Sequence, residues 1–189
     1  MLFAQPPFDK VLGASNLAML KYEWIWQKTN GKGFLNANCA PLRSHENILV
    51  FSHSNAAPTG QRMTYHPQMS KGEPYTKRRT SVGSNYHLAG DNISRSNGER
   101  YPKDVLTFKA DAKRLHPTQK PVDLLRYLIR TYTSPGDLVL DNCLGSGSTC
   151  VAAIREGRHY LGFETDPDYF AIAQRRIAAE GERIIFPES

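Results

Sequence analysis

The chain has 189 residues, 40% of them hydrophobic, with 24 Lys and Arg against 18 Asp and Glu for a formal charge of +6. That length can bury one sizeable core, or a core plus an excursion. No apolar run is long enough to span a bilayer, Met1-Leu2-Phe3-Ala4 is too short for a signal peptide, and Cys39, Cys143 and Cys150 lack metal-ligand spacing, so the composition points to a reduced cytoplasmic protein without a metal.

In chain order, Lys21-Tyr22-Glu23-Trp24-Ile25-Trp26 comes first, with Tyr22, Trp24 and Trp26 on one face, a strand signal. Asn30-Gly31 and Gly33 mark a turn or mobile loop. The run H-E-N-I-L-V-F from His45 reads as a second strand able to pair antiparallel with the first. Residues 52–113 then change character. They hold ten Lys or Arg and five acids, so they carry +5 of the +6. They are poor in aliphatic residues, with Tyr65, Tyr75, Tyr86 and Tyr101 interleaved among Gly, Pro, Ser and Asn. Basic side chains neutralise phosphates, and Tyr and Asn stack on or hydrogen-bond to bases. The same composition also suits a solvated insertion. Lys77-Arg78-Arg79, with Arg95 and Arg100, are the candidate phosphate contacts.

Pro121 suits the first turn of a helix whose Val122, Leu124, Leu125, Leu128 and Ile129 keep helical spacing. Pro135-Gly136 turns it into the apolar strand Leu138-Val139-Leu140. A Gly-rich turn, D-N-C-L-G-S-G-S-T from Asp141, leads to a helix that runs to Glu156 and stops at Gly157. Residues 158–164 give the next strand. Asp166-Pro167 start a last helix with Phe170, Ile172, Ala173 and Ile177 inward.

A buried strand entering a Gly-rich turn and then a helix sets backbone N–H groups and a positive dipole end at the sheet's ligand edge. Gly145 and Gly147 permit close approach of a ligand. The third glycine of the dinucleotide fingerprint is missing, which disfavours a nicotinamide cofactor. Asp141 ends the first strand, and Glu164 ends the second 23 positions later, where a carboxylate can accept from ribose hydroxyls.

The order H-P-T-Q-K-P from His116, D-N-C-L-G-S-G-S-T from Asp141 and G-F-E-T-D-P-D-Y-F from Gly162 resembles the amino-methylating DNA methyltransferases, in their permuted group with cofactor motifs near the C-terminus. The match is specific across residues 114–177; Asn142 and Cys143 depart from the usual Pro-Phe. The resemblance implies transfer of a methyl group from S-adenosylmethionine to an exocyclic base amine in double-stranded DNA, adenine N6 ahead of cytosine N4. It implies cofactor contacts from His116, Thr118, Lys120, Asp141, Asn142, Gly145, Ser146, Gly147, Ser148, Thr149 and Glu164. W-x-K, G-F-L-N-A and H-E-N-I-L-V-F also recur in that family, beside the pocket for the extruded base. Trp26, Lys28, Phe34 and Asn36 are the pocket candidates, and ordinary core and loop roles are the alternative for each.

The family's catalytic tetrapeptide, a polar residue then Pro-Pro-aromatic, has one counterpart here, Gln5-Pro6-Pro7-Phe8. In one reading Gln5 accepts from the target amine and Phe8 stacks. In the other the segment ends a strand and the likeness is accidental. Spacing favours the second, because no strand and crossover helix fit between Phe8 and Trp24. No catalytic residue is therefore secure. The expected fold is α/β, a Rossmann-like, mostly parallel sheet that is incomplete, with a basic irregular insertion. Its parts are residues 1–51 (N-terminal strands and base-pocket loop), 52–113 (DNA target recognition) and 114–189 (cofactor half). An incomplete sheet leaves an open edge and uncovered apolar surface, so dimerisation or a complementing N-terminal half is expected.

Overall fold

The computed structural model describes residues 1–57, 60–78 and 93–185; Arg79 and Tyr86 lie outside them. The elements are β1 (Leu2–Ala4), α1 (Phe8–Ala14), β2 (Leu20–Lys32), a 3-10 turn (Phe34–Asn36), β3 (Arg43–Phe51), β4 (Ser70–Lys71), β5 (Tyr75–Arg78), β6 (Ile93–Ser96), β7 (Glu99–Arg100), β8 (Val105–Thr107), α2 (Val122–Tyr132), β9 (Leu138–Asp141), α3 (Ser148–Arg155), β10 (His159–Gly162) and α4 (Pro167–Ile185). They form two compact units, Met1–His66 with Asp104–Ser189, and Pro67–Lys103.

In the larger unit a four-stranded sheet has the order β1-β3-β2-β8, and among the described residues β9 pairs only with β10. The antiparallel pairing of the Trp strand with the His45 strand is as expected: Trp24 faces Ile48 and Trp26 faces Glu46 in register. The sheet is not mostly parallel. β1–β3 and β2–β3 are antiparallel, whereas β2–β8 and β9–β10 are parallel. The connection from β2 to β3 carries no crossover helix, and a parallel neighbour would need one. Asn30 and Gly31 do not turn the chain but lie within β2. A Cβ on Gly31 would come 2.8 Å from the Leu42 Cβ, so glycine lets the returning chain close on the strand. The turn comes at Gly33, whose φ of +91° is left-handed.

α2 is the beam between two apolar clusters. Its Leu124 and Leu128 pack with Trp24, Trp26, Ile48, Val50 and Leu106. Its Val122, Leu125 and Ile129 pack with Val151, Ala152 and Ala153 of α3. Each fully buried Leu or Ile contributes about 1.5–3 kcal/mol. At the end of α2 the Tyr132 hydroxyl accepts from Trp24 Nε1 at 2.5 Å and lies 2.9 Å from the Tyr22 hydroxyl. The helix is thereby tied to β2 by polar as well as apolar contact.

Phe3 of β1 and Val139 of β9 pack against the same α2–α3 cluster. Among the described residues no backbone pairing joins these two strands, so two sheets share one helical layer. Leu138 and Leu140 are 62% and 61% exposed and Leu161 45%, an uncovered apolar face on the β9–β10 pair. In α4, Ala173 and Ile177 face inward as expected, with Ile172 half-buried and Phe170 exposed. Ala173 makes the closest approach, because a Cβ on Gly147 would come 3.1 Å from its Cα. No helix is long and apolar enough to cross a membrane among the described residues.

The smaller unit holds two antiparallel pairs, β4–β7 and β5–β6. The core strand β8 and Met63 belong to the larger unit, so this unit is shorter than the basic segment as a whole.

Candidate functional site

The Gly-rich turn is held by side chains on all sides. Asp141 ends β9; its Oδ1 accepts from the Cys143 amide at 3.0 Å and its Oδ2 from the Thr149 hydroxyl at 2.5 Å. Glu164, just past β10, accepts the Gly145 amide at 2.7 Å on Oε2 and the Thr165 and Asp166 amides at 2.9 and 3.0 Å on Oε1. Those backbone donors, led by the Asp166 and Gly145 amides, hold the Glu164 carboxyl below its ordinary range. A carboxylate has about four acceptor positions, so about one remains for a hydroxyl.

His116 lies directly against the turn: a Cβ on Gly145 would come 3.4 Å from its Cγ. Its ring packs edge-on to Tyr169 at 4.3 Å, and its Nδ1 accepts the Thr118 amide at 3.2 Å. Ser146 is buried. Its hydroxyl donates to Gln119 Oε1 at 3.2 Å, and Arg176 of α4 donates to its carbonyl at 2.7 Å and to the Ser148 hydroxyl at 3.1 Å. Gly147, with φ +81°, caps α3. Asn142 and Cys143 are exposed beside this turn, whereas Cys150 is buried, and burial with the charge of Asp141 pushes its thiol up to about 11. The structure therefore brings His116, Thr118, Asp141, Gly145, Ser146, Gly147, Ser148, Thr149 and Glu164 together. Sequence reasoning missed Gln119 and Arg176, which brace the turn from both sides. The only signal for Gln119 was its place inside the H-P-T-Q-K-P run.

A second feature lies where residues 114–120 meet β2 and β3: a cavity of about 500 Å³ lined by Gln5, Trp26, Lys28, Glu46, Phe108 and Lys120, among others. Lys28 Nζ sits 4.9 Å from the centre of the Trp26 ring. Glu46 bridges Lys28 and Lys120, both at 2.9 Å. Burial pushes its carboxyl up, but the two ammonium groups prevail and leave it below its ordinary range. Phe34 and Asn36 do not join Trp26 and Lys28 here. They are exposed in the 3-10 turn, Phe34 at 80%, because β2 continues past Gly31 and carries the loop outward. Gln5 lines the cavity with its Oε1 3.4 Å from Arg43 Nη1, but Phe8 is 60% exposed at the start of α1 and does not stack there. Leu2–Ala4 is strand β1, so the Gln5-Pro6-Pro7-Phe8 run follows a strand end.

In the smaller unit the five basic candidates divide. Lys77 and Arg100 flank the Tyr75 ring at 5.4 and 4.8 Å. Arg100 also donates to the Ser96 hydroxyl and the Glu73 carbonyl, so it is a brace rather than a free surface charge. Arg78 and Arg95 are exposed and share the opposite face of the antiparallel β5–β6 pair. Arg79 lies outside the described residues. No cluster of metal-ligating side chains occurs among the described residues.

Compared with known proteins, residues 13–175 match the N6/N4 DNA methylase family, described as DNA methylase. YubD of Escherichia coli (strain K12), whose name describes it as a candidate methylase, is 50% identical over 76 residues, 40% of this chain and 34% of its own. Type II methyltransferase M2.DpnII of Streptococcus pneumoniae is 36% identical over 110 residues, 56% of this chain and 41% of its own. The matches thus span a third to two fifths of these relatives' lengths. Among solved structures, M1.HpyAVI in complex with SAM superposes with a TM-score of 0.61 at 23% identity, over 92% of this chain and 71% of its own. The PvuII cytosine-N4-specific DNA methyltransferase superposes at 0.59 and 19% identity, over 96% and 64%. These likenesses establish the methyltransferase fold for this chain.

Proposed function

The chain belongs to the N6/N4 DNA methylase family, and from that premise we propose that it binds S-adenosylmethionine at the Gly-rich edge and serves methyl transfer to an extruded base of double-stranded DNA, adenine N6 ahead of cytosine N4. The observation that carries this reading is the convergence of His116, Gly145 and Glu164 on one edge. Gly145 lets the turn close on His116 and Gly147 lets it close on Ala173, and Glu164 keeps an acceptor position for a ribose hydroxyl. The M1.HpyAVI structure holds SAM. When bound, the donor supplies an electrophilic sulfonium methyl. His116 and Thr118 would flank its methionine part, with Lys120 behind them, while Asp141, Asn142 and the residues from Gly145 to Thr149 shape the turn around it. Trp26 and Lys28 line the adjoining cavity, the candidate site for an extruded base, with Trp26 only 5% exposed and Lys28 over its ring. The smaller, basic unit is the candidate target-recognition region. The character of the Trp strand and the His45 region favours adenine.

The test is calorimetric titration of the purified chain with S-adenosylmethionine, followed by transfer of labelled methyl to duplex DNA and analysis of the product base. Absence of donor binding would sink the cofactor assignment. N4-methylcytosine as the product would reverse the base preference. Loss of transfer in Gln5→Ala would make Gln5 catalytic.

A specific observation supports a second reading, that of a cofactor- and DNA-binding fragment completed by a separate polypeptide carrying the catalytic tetrapeptide. Among the described residues the β9–β10 pair stands unjoined to the main sheet with Leu138, Leu140 and Leu161 exposed. Donor binding without transfer would support this reading, and transfer by the purified chain alone would overturn it.

A further inference from the structure

The cavity beside the donor segment has five cationic side chains among its described lining residues, Lys28, Lys32, Arg43, Arg114 and Lys120, and a single carboxylate, Glu46. Glu46 lies in β3 on the face that carries Ile48 and Val50, directly opposite Trp26. Its side chain is 7% exposed. Oε2 takes Lys28 of β2 and Oε1 takes Lys120 of the donor segment, each at 2.9 Å. Neither lysine is held by Glu46 alone. Lys28 also rests on Trp26, and Lys120 also donates to the Thr118 carbonyl at 3.1 Å and sits 5.1 Å from the Phe3 ring centre.

From Lys120 the contacts continue to the Gly-rich turn. The neighbouring Gln119 accepts the Leu115 amide at 2.9 Å and the Ser146 hydroxyl at 3.2 Å, and it donates to Asp111 at 2.9 Å. A buried carboxylate between two ammonium groups is stable only with both partners present, and its removal leaves two cations facing each other across a poorly solvated gap. We propose that Glu46 is a positioning residue that clamps the donor segment to the base-side strand, so that occupancy of the donor edge and the shape of the base-side cavity depend on one carboxylate. This rests on residues 114–120 being the donor segment. It goes beyond that reading by assigning a role to a residue outside the donor edge.

Hydrogen exchange of the full chain, with Glu46→Gln, Lys28→Met and Lys120→Met, tests the clamp without requiring a ligand. Glu46→Gln is expected to speed exchange about threefold or more in residues 27–32 and 116–120 together, with α2 and α3 unchanged. Lys28→Met should act on the first segment alone and Lys120→Met on the second. Unchanged exchange at 116–120 in Glu46→Gln, or a uniform rise that includes α2 and α3, would overturn the proposal. In the binding arm, Glu46→Gln should weaken S-adenosylmethionine binding about tenfold, and the Glu46→Gln/Lys120→Met pair should be non-additive. Equal affinity in wild type and Glu46→Gln would also overturn it. Failure of the wild type to bind the donor would instead remove the functional reading, and the exchange arm would still decide the clamp.

Discussion

Glu164 Oε2 lies 2.7 Å from the Gly145 amide, so the end of one strand closes the turn that follows the other. That single contact joins the two acidic strand ends of the Gly-rich edge into one structure. Glu164→Gln keeps the shape but exchanges one acceptor oxygen for a donor. We expect donor binding to weaken about tenfold, since hydrogen bonds to a charged acceptor are the stronger ones. Because the folded state lowers the Glu164 pKa, its contribution to stability is complete at neutral pH and fades as pH falls through the carboxylate range. Thermal melts from pH 7 to pH 3 should therefore fall less steeply for Glu164→Gln than for wild type.

Gly147→Ala sets backbone strain against helix packing. The φ of +81° costs an L-residue roughly 1–2 kcal/mol. The added methyl also meets Ala173 at 3.1 Å, and α4 cannot retreat without loosening the Ala173–Leu144–Cys150 cluster. A loss of about 2–4 kcal/mol in denaturant unfolding is expected, together with weaker donor binding. A variant within 0.5 kcal/mol of wild type, a threshold of roughly the size of a neutral surface change, would mean that the turn relaxes freely.

Much of this edge was readable in the order of the residues. The strand, the turn, the helix start at Ser148 and the carboxylate after the second strand follow from apolar runs, glycine and spacing, all local signals. The Trp strand was equally plain from period-two alternation, and its partner from the apolar run Ile48-Leu49-Val50-Phe51. Beside the braces Gln119 and Arg176, three further features were not legible. β2 runs through Asn30-Gly31, because Gly31 meets Leu42 rather than bending the chain, and no local propensity encodes that meeting. Phe34 and Asn36 consequently lie outside the cavity. Glu46 reads as an ordinary strand-end acid until register sets it opposite Trp26 and the fold brings Lys120 across from a point 74 residues later.

Asn47 donates to Asp9 Oδ2 at 2.7 Å, with both side chains buried and the Oδ1 atom of each unpartnered in the structure. The contact fastens α1 to β3. Asn47→Leu removes the donor and leaves a buried carboxylate with less compensation, at a cost of about 1–3 kcal/mol or more. The double variant Asp9→Leu/Asn47→Leu, which removes both polar partners, should recover part of that loss, and a double-mutant cycle on urea midpoints measures the coupling. Additive effects would show that the pair contributes nothing as a pair.

The two faces of the β5–β6 pair predict different behaviour for arginines that look alike in sequence. Arg78 and Arg95 are exposed on one face and, among the described residues, brace no other side chain. Arg100 lies against Tyr75 and donates to Ser96 and Glu73, and a Cβ on the neighbouring Gly98 would meet the Gly72 carbonyl at 2.5 Å. If the smaller unit contacts DNA phosphates, Arg78→Ala and Arg95→Ala should each reduce the slope of log affinity against log salt by about 0.9, the value for one phosphate contact, without shifting the melting temperature. Arg100→Ala should do the reverse in kind: it loosens the unit, seen as faster proteolysis within residues 67–103, and weakens DNA binding through lost structure. Equal salt slopes for wild type and the Arg78→Ala/Arg95→Ala double variant would remove this face from the DNA interface, because phosphate neutralisation is the one contribution these two side chains can make without a base-reading geometry.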